Sequence, residues 1–421
     1  MKLRYLFSLL LMAGLLACGP NAKEEKSGEA LDQASHDKLL KSFQEKLILA
    51  NPGDVIELPA GRFNLTKSLS LDAIDNITIK GAGKDKTVLS FLNQTQGAEG
   101  IRVTNLKHFK LSDLTIEDSK GDALKIQDCE GVLLKNVKTT WTEGAKETNG
   151  SYGIYPVKCK NVIIDGCESS FASDAGIYVG QTHNVHMKNC LVHHNVAGFE
   201  IENCSYVDAY NNEAHDNTMG FLVYDLSGLP VANGRFIRAF DNNIHDNNFQ
   251  NFAPKGGIVH MVPPGTGFMI VAAKEVEVFN NQIKNHKTIG LGIGSFYMTQ
   301  RPFDENSDFV PYSSNVHVHD NQIVRKDAMP DLTREWGQLI NVMFKATPQD
   351  ILVDGWMHPD FATDPESHRI CIHDNGTDIT FANLNAQKAE SIRAMAKYID
   401  SDMSKFDCTL PPQEANAEPE I

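Results

Sequence analysis

The sequence predicts a single-stranded right-handed parallel β-helix, an all-β solenoid with a helix at each end. Two observations carry this. Short segments that alternate apolar and polar residues recur at a nearly constant interval, and each is followed by a second strand that opens on glycine. The clearest first strands are Asn161-Val-Ile-Ile-Asp-Gly-Cys167, Asn184-Val-His-Met-Lys-Asn-Cys190 and Tyr206-Val-Asp-Ala-Tyr-Asn-Asn212, whose last residues stand 23 and then 22 positions apart. Their second strands are Gly176-Ile-Tyr-Val-Gly-Gln181, Gly198-Phe-Glu-Ile-Glu-Asn203 and Gly220-Phe-Leu-Val-Tyr-Asp225. Neither set shows helical spacing, and the Leu-x-x-Leu-x-Leu frame of leucine-rich repeats is absent. Glycine allows positive φ at the corners of such a coil, and inward asparagines can bond the same turn of the next one.

In chain order, residues 1–18 read MKLRYLFSLLLMAGLLAC, a basic start and an apolar run too short to span a bilayer, which predicts a signal peptide. The Leu15-Leu16-Ala17-Cys18 end resembles the lipobox of bacterial lipoproteins, which implies lipidation of Cys18; Gly19 after it implies delivery to the outer membrane. An ordinary signal cleaved after Ala17 is the alternative. Residues 19–28 are polar and charged and form a flexible tether. Residues 29–52 form an N-terminal cap, with Leu39, Leu40, Phe43, Leu47 and Ile48 at helical spacing to cover the open strand edges. Residues 53–383 form the β-helix, about a dozen coils and roughly 55 Å at the usual strand spacing. Related first strands start at Gly131, Ile237, Glu275 and Asn315, while residues 301–313 and 326–366 break the rhythm and form loops or a small insertion. Within residues 384–421, a helix is expected over 386–405 and a disordered tail after Pro411.

Lys and Arg number 39 against 54 Asp and Glu, a net charge of −15, which excludes nucleic acid as a partner. A polyanionic sugar would be repelled too, unless a local basic patch or a bridging cation intervened. Of eight cysteines, Cys371 and Cys408 bracket the C-terminal segment and are the expected disulfide. Cys129 with Cys159, and Cys167 with Cys190, occupy equivalent positions on adjacent coils, so disulfides and buried thiols both remain open.

Residues 53–63, Gly-Asp-Val-Ile-Glu-Leu-Pro-Ala-Gly-Arg-Phe, resemble the entry coil of pectin-lyase-like proteins. Gly150-Ser-Tyr-Gly-Ile-Tyr-Pro-Val-Lys-Cys159, Ala172-Ser-Asp-Ala-Gly-Ile-Tyr-Val-Gly-Gln181, Asn195-Val-Ala-Gly-Phe-Glu-Ile-Glu-Asn203 and Asn251-Phe-Ala-Pro254 together resemble a family of bacterial parallel β-helix repeat-containing lipoproteins. That resemblance extends to about residue 325 and implies no defined reaction, but it implies a secreted dihaem c-type cytochrome-like protein as a partner. A more distant likeness is to alginate C5-epimerases, whose signature is Tyr-Gly-Phe-Asp-Pro-His. Here Tyr152-Gly-Ile-Tyr155-Pro156-Val157 puts Tyr155 at the acidic position and Val157 at the histidine position. Valine exchanges no proton, so epimerisation by that mechanism is put in doubt.

Stacking the second strands aligns outward side chains. One column is Lys125, Tyr155, Tyr178, Glu200 and Leu222; beside it run Gln127, Val157, Gly180, Glu202 and Tyr224; at the strand ends stand Asp128, Lys158, Gln181, Asn203 and Asp225. Rings and fixed polar groups suit a polysaccharide laid across the coils, although a solvated strand face has the same composition. As a catalyst, Tyr155 or Tyr178 would act as acid or base with its pKa depressed by Lys125 or Lys158, which suits β-elimination from a uronate. Lys158, Gln181, Glu200, Glu202, Asn203, Tyr224 and Asp225 are the ligand-binding candidates. No metal set is assigned; Glu200, Glu202 and Asp225 could take Ca²⁺ or serve as solvated carboxylates. His193, His215 and His245 recur at one offset, a column open to a metal but equally to turn residues bonded to backbone. The sequence thus supports a lipid-anchored envelope protein that binds an extended glycan along one face. Its alternatives are a uronate lyase or divergent epimerase on the same face, and a scaffold for the cytochrome.

Overall fold

The computed structural model describes residues 33–345 and 347–421, so Cys18, the tether and the first residues of the cap lie outside the described residues. All strand pairs with a common register are parallel. Each coil supplies one strand to an 11-stranded sheet and one or two to a 19-stranded sheet. This is the expected right-handed parallel β-helix, and Tyr178 pairs with Glu200 on the next coil, as the 22-residue interval requires.

The interior is stacked column by column. Ile177, Phe199, Phe221, Phe268 and Leu291 form one inward line, with the Phe221 and Phe268 rings 4.8 Å apart and 4° from parallel. Two asparagine ladders run beside it. Asn212, Asn242, Asn281, Asn321 and Asn375 pass amide bonds of 3.0, 2.9, 2.9 and 2.7 Å from coil to coil. Asn195, Asn217 and Asn247 do the same at 3.0 and 2.8 Å. Being buried, each amide would cost stability unless satisfied, and the next coil satisfies it.

Gly131 and Gly166 hold positive-φ corners as expected, but the glycines that open the second strands serve a different purpose. Corners in the left-handed region are held by Asp216, Asp246, Asp320 and Asp374, with φ between 51° and 53°. Gly176, Gly198 and Gly220 open the second strands, where an added Cβ would lie 3.0 Å or less from the carbonyl oxygen of the next coil's glycine. Their role is close approach of backbones.

Gln33–Ile48 is the N-terminal capping helix, burying Phe43 and Leu47 on the first coil and half-burying Leu39 and Leu40. Ile48, expected on the buried face, is 77 % exposed because the helix ends there. The broken stretch 326–366 inserts the helix Glu335–Phe344 and then, against the expectation of loops or an insertion throughout, returns to the coil in Ile351–Val353, a strand of the 11-stranded sheet. The expected helix over 386–405 is replaced by three short 3₁₀ turns, Ala386–Lys388, Ile392–Lys397 and Met403–Lys405. Ser391 and Asp402 accept from backbone N–H groups at the starts of the last two, which divides the segment.

The tail is also a correction. Cys371 and Cys408 form the expected disulfide, with Cα atoms 4.9 Å apart, which pins the tail's root to the last coils. From there it runs back over the 19-stranded sheet: Gln413 N–H donates to Glu277 Oε2 at 3.1 Å and Asn416 Nδ2 to Asp208 Oδ1 at 2.7 Å. Cys129, Cys159, Cys167, Cys190 and Cys204 are buried free thiols.

Candidate functional site

The outer face of the 11-stranded sheet carries the predicted columns. Lys125 pairs with Tyr155, Tyr178 with Glu200, and Glu200 with Leu222; the pairs Ile154–Ile177 and Val157–Gly180 set Tyr155 beside Tyr178. Glu202 and Tyr224 pair in the adjacent column. The face is not an open strip. Tyr178, Leu222 and Tyr224 belong to a second apolar cluster with Val259, Phe296, Phe309 and Ile340, all from segments that leave the coil. The cluster leaves Tyr152, Tyr155, Asp122 and Asp174 half-buried at the opening, with Glu200 and Glu202 beneath.

Three tyrosines form the platform of this site. Ring centroids lie 4.5 Å apart for Tyr152 and Tyr178, 4.8 Å for Tyr155 and Tyr178, and 4.6 Å for Tyr152 and Tyr155. Tyr152 has room because its partner on the next coil is Ala175, followed by Ala197. Gly180 is needed because a Cβ there would meet the Tyr178 ring at 2.4 Å. Lys125 Nζ sits 5.0 Å from the centre of the Tyr155 ring, a cation–π contact.

Around the platform stand carboxyls with perturbed proton affinity. Burial pushes Asp174 up to about 7 against a bond from Tyr152, and Glu202 up to about 7 against one from Tyr224. Glu200 is raised well above its ordinary value by burial and by Asp174. Burial lifts Asp122 to about 6, with Lys125 working the other way. Such groups exchange protons near neutral pH. The phenols do not: burial, Asp122 and Glu202 push Tyr155 up to about 12, and burial raises Tyr152 and Tyr224 as well. The lowering by Lys125 expected at Tyr155 is thus not seen, since burial raises that phenol, and the groups held near neutral proton affinity on this face are carboxyls.

The strand-end residues have structural work. Lys158, Gln181 and Asn203 are corner residues with φ of 52°, 49° and 49°. Asn203 Nδ2 donates to Leu226 O at 3.0 Å and Val231 O at 2.8 Å, and Asp225 Oδ2 accepts from Gly234 N–H at 2.6 Å. Both hold the loop after Tyr224 and are buried, away from a ligand surface. Among the described residues, Glu200, Glu202 and Asp225 do not bring one ligand atom each within 4.8 Å of one another, and all three are buried rather than solvated. The histidine column does stack, with His193–His215 and His215–His245 centroids 5.5 and 5.4 Å apart. His215 and His245 each bond the aspartate that follows.

Sequence reasoning missed Asp122, Asp174 and Tyr152. The signal was the Asp-Ala step before two second strands, at Asp122-Ala123 and Asp174-Ala175. It also missed a cavity of about 410 Å³ farther along the same face, lined by Met269, Tyr297, Trp336, Ile340 and Trp356. Tyr297 and Trp356 stack at 4.4 Å, and Asp354, raised to about 6 by burial, accepts from Ser295 N–H and Oγ at 2.7 and 2.6 Å. Its walls come from the segments that interrupt the repeat.

Residues 99–259 match the family of right-handed beta helix regions. No curated protein sequence matches the chain. Among solved structures, the A-module of a mannuronan C-5 epimerase from Azotobacter vinelandii is 17% identical, covering 70% of this chain and 85% of that one with a TM-score of 0.48. An exopolygalacturonase from Thermotoga maritima is 12% identical over 69% of this chain and 84% of that one, with a TM-score of 0.44. A DFA-IIIase from Arthrobacter chlorophenolicus is 13% identical over 87% and 84%, at 0.44. With every described strand pair parallel, the 11-stranded and 19-stranded sheets and the matched repeat region, the chain folds as a right-handed parallel β-helix.

Proposed function

We propose that the chain acts on a saccharide chain laid over the Tyr152–Tyr155–Tyr178 platform, with Asp174, Glu200 and Glu202 exchanging protons with it. The supporting observation is the juxtaposition of those carboxyls, held near or above neutral proton affinity, with two half-buried phenol rings and a buried one. Flat rings stack on pyranose faces, and phenol donors with carboxyl acceptors pair with hydroxyls. A carboxyl protonated at neutral pH can donate to a leaving oxygen while an ionised neighbour accepts, so either bond cleavage or C5 proton exchange is within reach. Lys125 beside Tyr155 favours a uronate as the second reading, since it is a cation at the platform. In this reading Cys18 is lipidated and holds the rod at the cell envelope; C18S would then move it from the membrane fraction to the soluble one.

The test is incubation of the purified chain with neutral glycans and with uronans such as alginate and pectate. New reducing ends report hydrolysis, unsaturated ends a lyase, and a changed C5 ratio an epimerase. E202Q and D174N should each lower the rate by about 10²-fold or more, in the range of general acid–base contributions. Binding without turnover would leave a saccharide-binding protein, and neither binding nor turnover would overturn the proposal.

A further inference from the structure

The far side of the rod carries a group of side chains that the saccharide reading does not use. Glu277, His317 and His319, and His373 lie on three successive coils of the 19-stranded sheet. Glu277 pairs with His317, and His319 with His373. Ligand atoms of the three histidines all fall within 4.8 Å of one another. His317 Nε2 and His373 Nε2 are 2.9 Å apart, and His319 Nε2 lies 3.2 Å from Glu277 Oε1. The pocket is sheltered: the Glu277 side chain is 3 % exposed and that of His317 is 7 %.

The convergence of three imidazoles, two of them oriented from behind by carboxylates, is what points to a cation. His319 Nδ1 bonds Asp320 Oδ2 at 2.7 Å and His373 Nδ1 bonds Asp374 Oδ2 at 3.0 Å. An imidazole nitrogen facing a carboxylate donates, so in the neutral ring the other nitrogen presents its lone pair. His319 Nε2 then faces a carboxylate oxygen, and His373 Nε2 faces His317; without a metal, a proton on His319 and a donating His317 Nε2 satisfy these two contacts, and a bound metal ion takes the place of those protons. The carboxylate–histidine arrangement is also the one that orients imidazoles on metal ions. The rings are held in place by stacking, with Phe279, His319 and His373 at successive centroid distances of 5.4 Å. The other oxygen of Glu277 is held by Gln413 of the tail.

Repetition within the chain supplies a comparison. His-Asp-Asn occurs at His215, His245, His319 and His373, each with the same local bond from Nδ1 to the following aspartate. Among the described residues, only the last two share a third imidazole, His317, with a buried carboxylate, Glu277, set against His317 and His319. We infer that His317, His319 and His373 form a binding site for a divalent transition-metal ion of the Zn²⁺ or Cu²⁺ class, cross-linking two coils beneath the C-terminal tail, with the Glu277 carboxylate of a third coil beside His319. Three imidazoles are a donor set those ions accept, and Ca²⁺ and Mg²⁺ do not favour it.

Zn²⁺ and Cu²⁺ should be titrated separately into the full chain after chelator treatment, against a chromophoric competitor, with thermal melting alongside. The expected result is one tight equivalent, a Tm that rises with metal, and Cu²⁺ EPR splitting from nitrogen ligands. H373A and H319A should lose the tight equivalent, and D320N should weaken it by roughly 10–100-fold. H245A, in the matching motif, should leave it unchanged, as should H358A/H368A, which dismantles the other described cluster of His358, Asp360 and His368. Circular dichroism of each variant separates lost ligation from lost folding. Absence of a tight equivalent in the wild type, or its survival in a folded H319A/H373A variant, would overturn the site.

Discussion

The hydroxyl of Tyr224 donates to Glu200 Oε2 at 3.0 Å, while Glu200 Oε1 is buried with no hydrogen-bond partner. A carboxyl in that setting resists ionisation, because the charge would have one bond and no water. E200Q keeps the shape and replaces a neutral acid with a neutral amide. It should change stability by less than about 1 kcal/mol, yet lower turnover by about 10²-fold or more if Glu200 exchanges a proton. Y224F removes the donor and should cost about 1–3 kcal/mol. Denaturant melts of both variants check the contrast, and a strongly destabilised E200Q would mean that the group is ionised.

The raised carboxyls give stability a definite pH dependence. A carboxyl whose folded pKa exceeds its unfolded value contributes stability that is complete below about pH 4 and disappears as pH rises through the folded pKa. Asp174 and Glu202 at about 7 and Asp225 at about 8 therefore withdraw support across the neutral range. Burial lowers His286 to about 3 and His317 to about 4, which has the opposite sign: stability rises with pH, but only up to the ordinary histidine value near 6.5. Above that the carboxyls dominate, joined by His245, which despite burial is raised by its bonds to Asp246 and Glu213. Unfolding free energy should fall by on the order of 3 kcal/mol between about pH 6.5 and 8.5. D225N should remove much of the decline above about pH 7.5, and urea melts across that window measure it.

The columns were legible because the repeat period is short and regular: Tyr178 and Glu200 could be stacked from their spacing alone, and so could the asparagine ladder. Asp122 and Asp174 were harder, since they precede the strands and enter the site only through the turn. The apolar walls were not legible, because the segments around Phe296, Trp336 and Met395 carry no period that says which face they fold over. The same interruption hid the pairing of His319 with His373, whose separation spans the 326–366 insertion. Disorder expected after Pro411 followed from composition, which could not register an anchor at Cys408 or receptive groups at Glu277 and Asp208.

That anchor makes the tail's order dependent on one covalent bond. The disulfide spans 37 residues, and closing such a loop is worth about 2–4 kcal/mol. C408S should therefore lower stability by that amount and expose the segment beyond Leu410 to proteases, while the coils keep their protection. Limited proteolysis read by mass spectrometry would show cleavage in the tail before any in the rod. A tail equally protected in C408S would mean that Gln413 and Asn416 hold it unaided.

Asn281 offers the sharpest measure of how coils are locked together. Its carbonyl oxygen accepts from both Asn242 N–H at 3.0 Å and Asn242 Nδ2 at 2.9 Å, and its own amide donates to Asn321 Oδ1 and Ala239 O, each at 2.9 Å. N281A leaves donors and acceptors on two neighbouring coils without partners in a dry interior, where each orphaned group costs about 1–3 kcal/mol. A loss of about 3 kcal/mol or more is expected, large against the total stability of a typical domain. N281D should also be destabilising, because its carboxylate would face Asn321 Oδ1 with no proton to give. N306A, at an exposed loop position, should change stability by less than about 0.5 kcal/mol. Equilibrium unfolding of the three variants ranks them, and an N281A as stable as N306A would show that the ladder carries register but little energy.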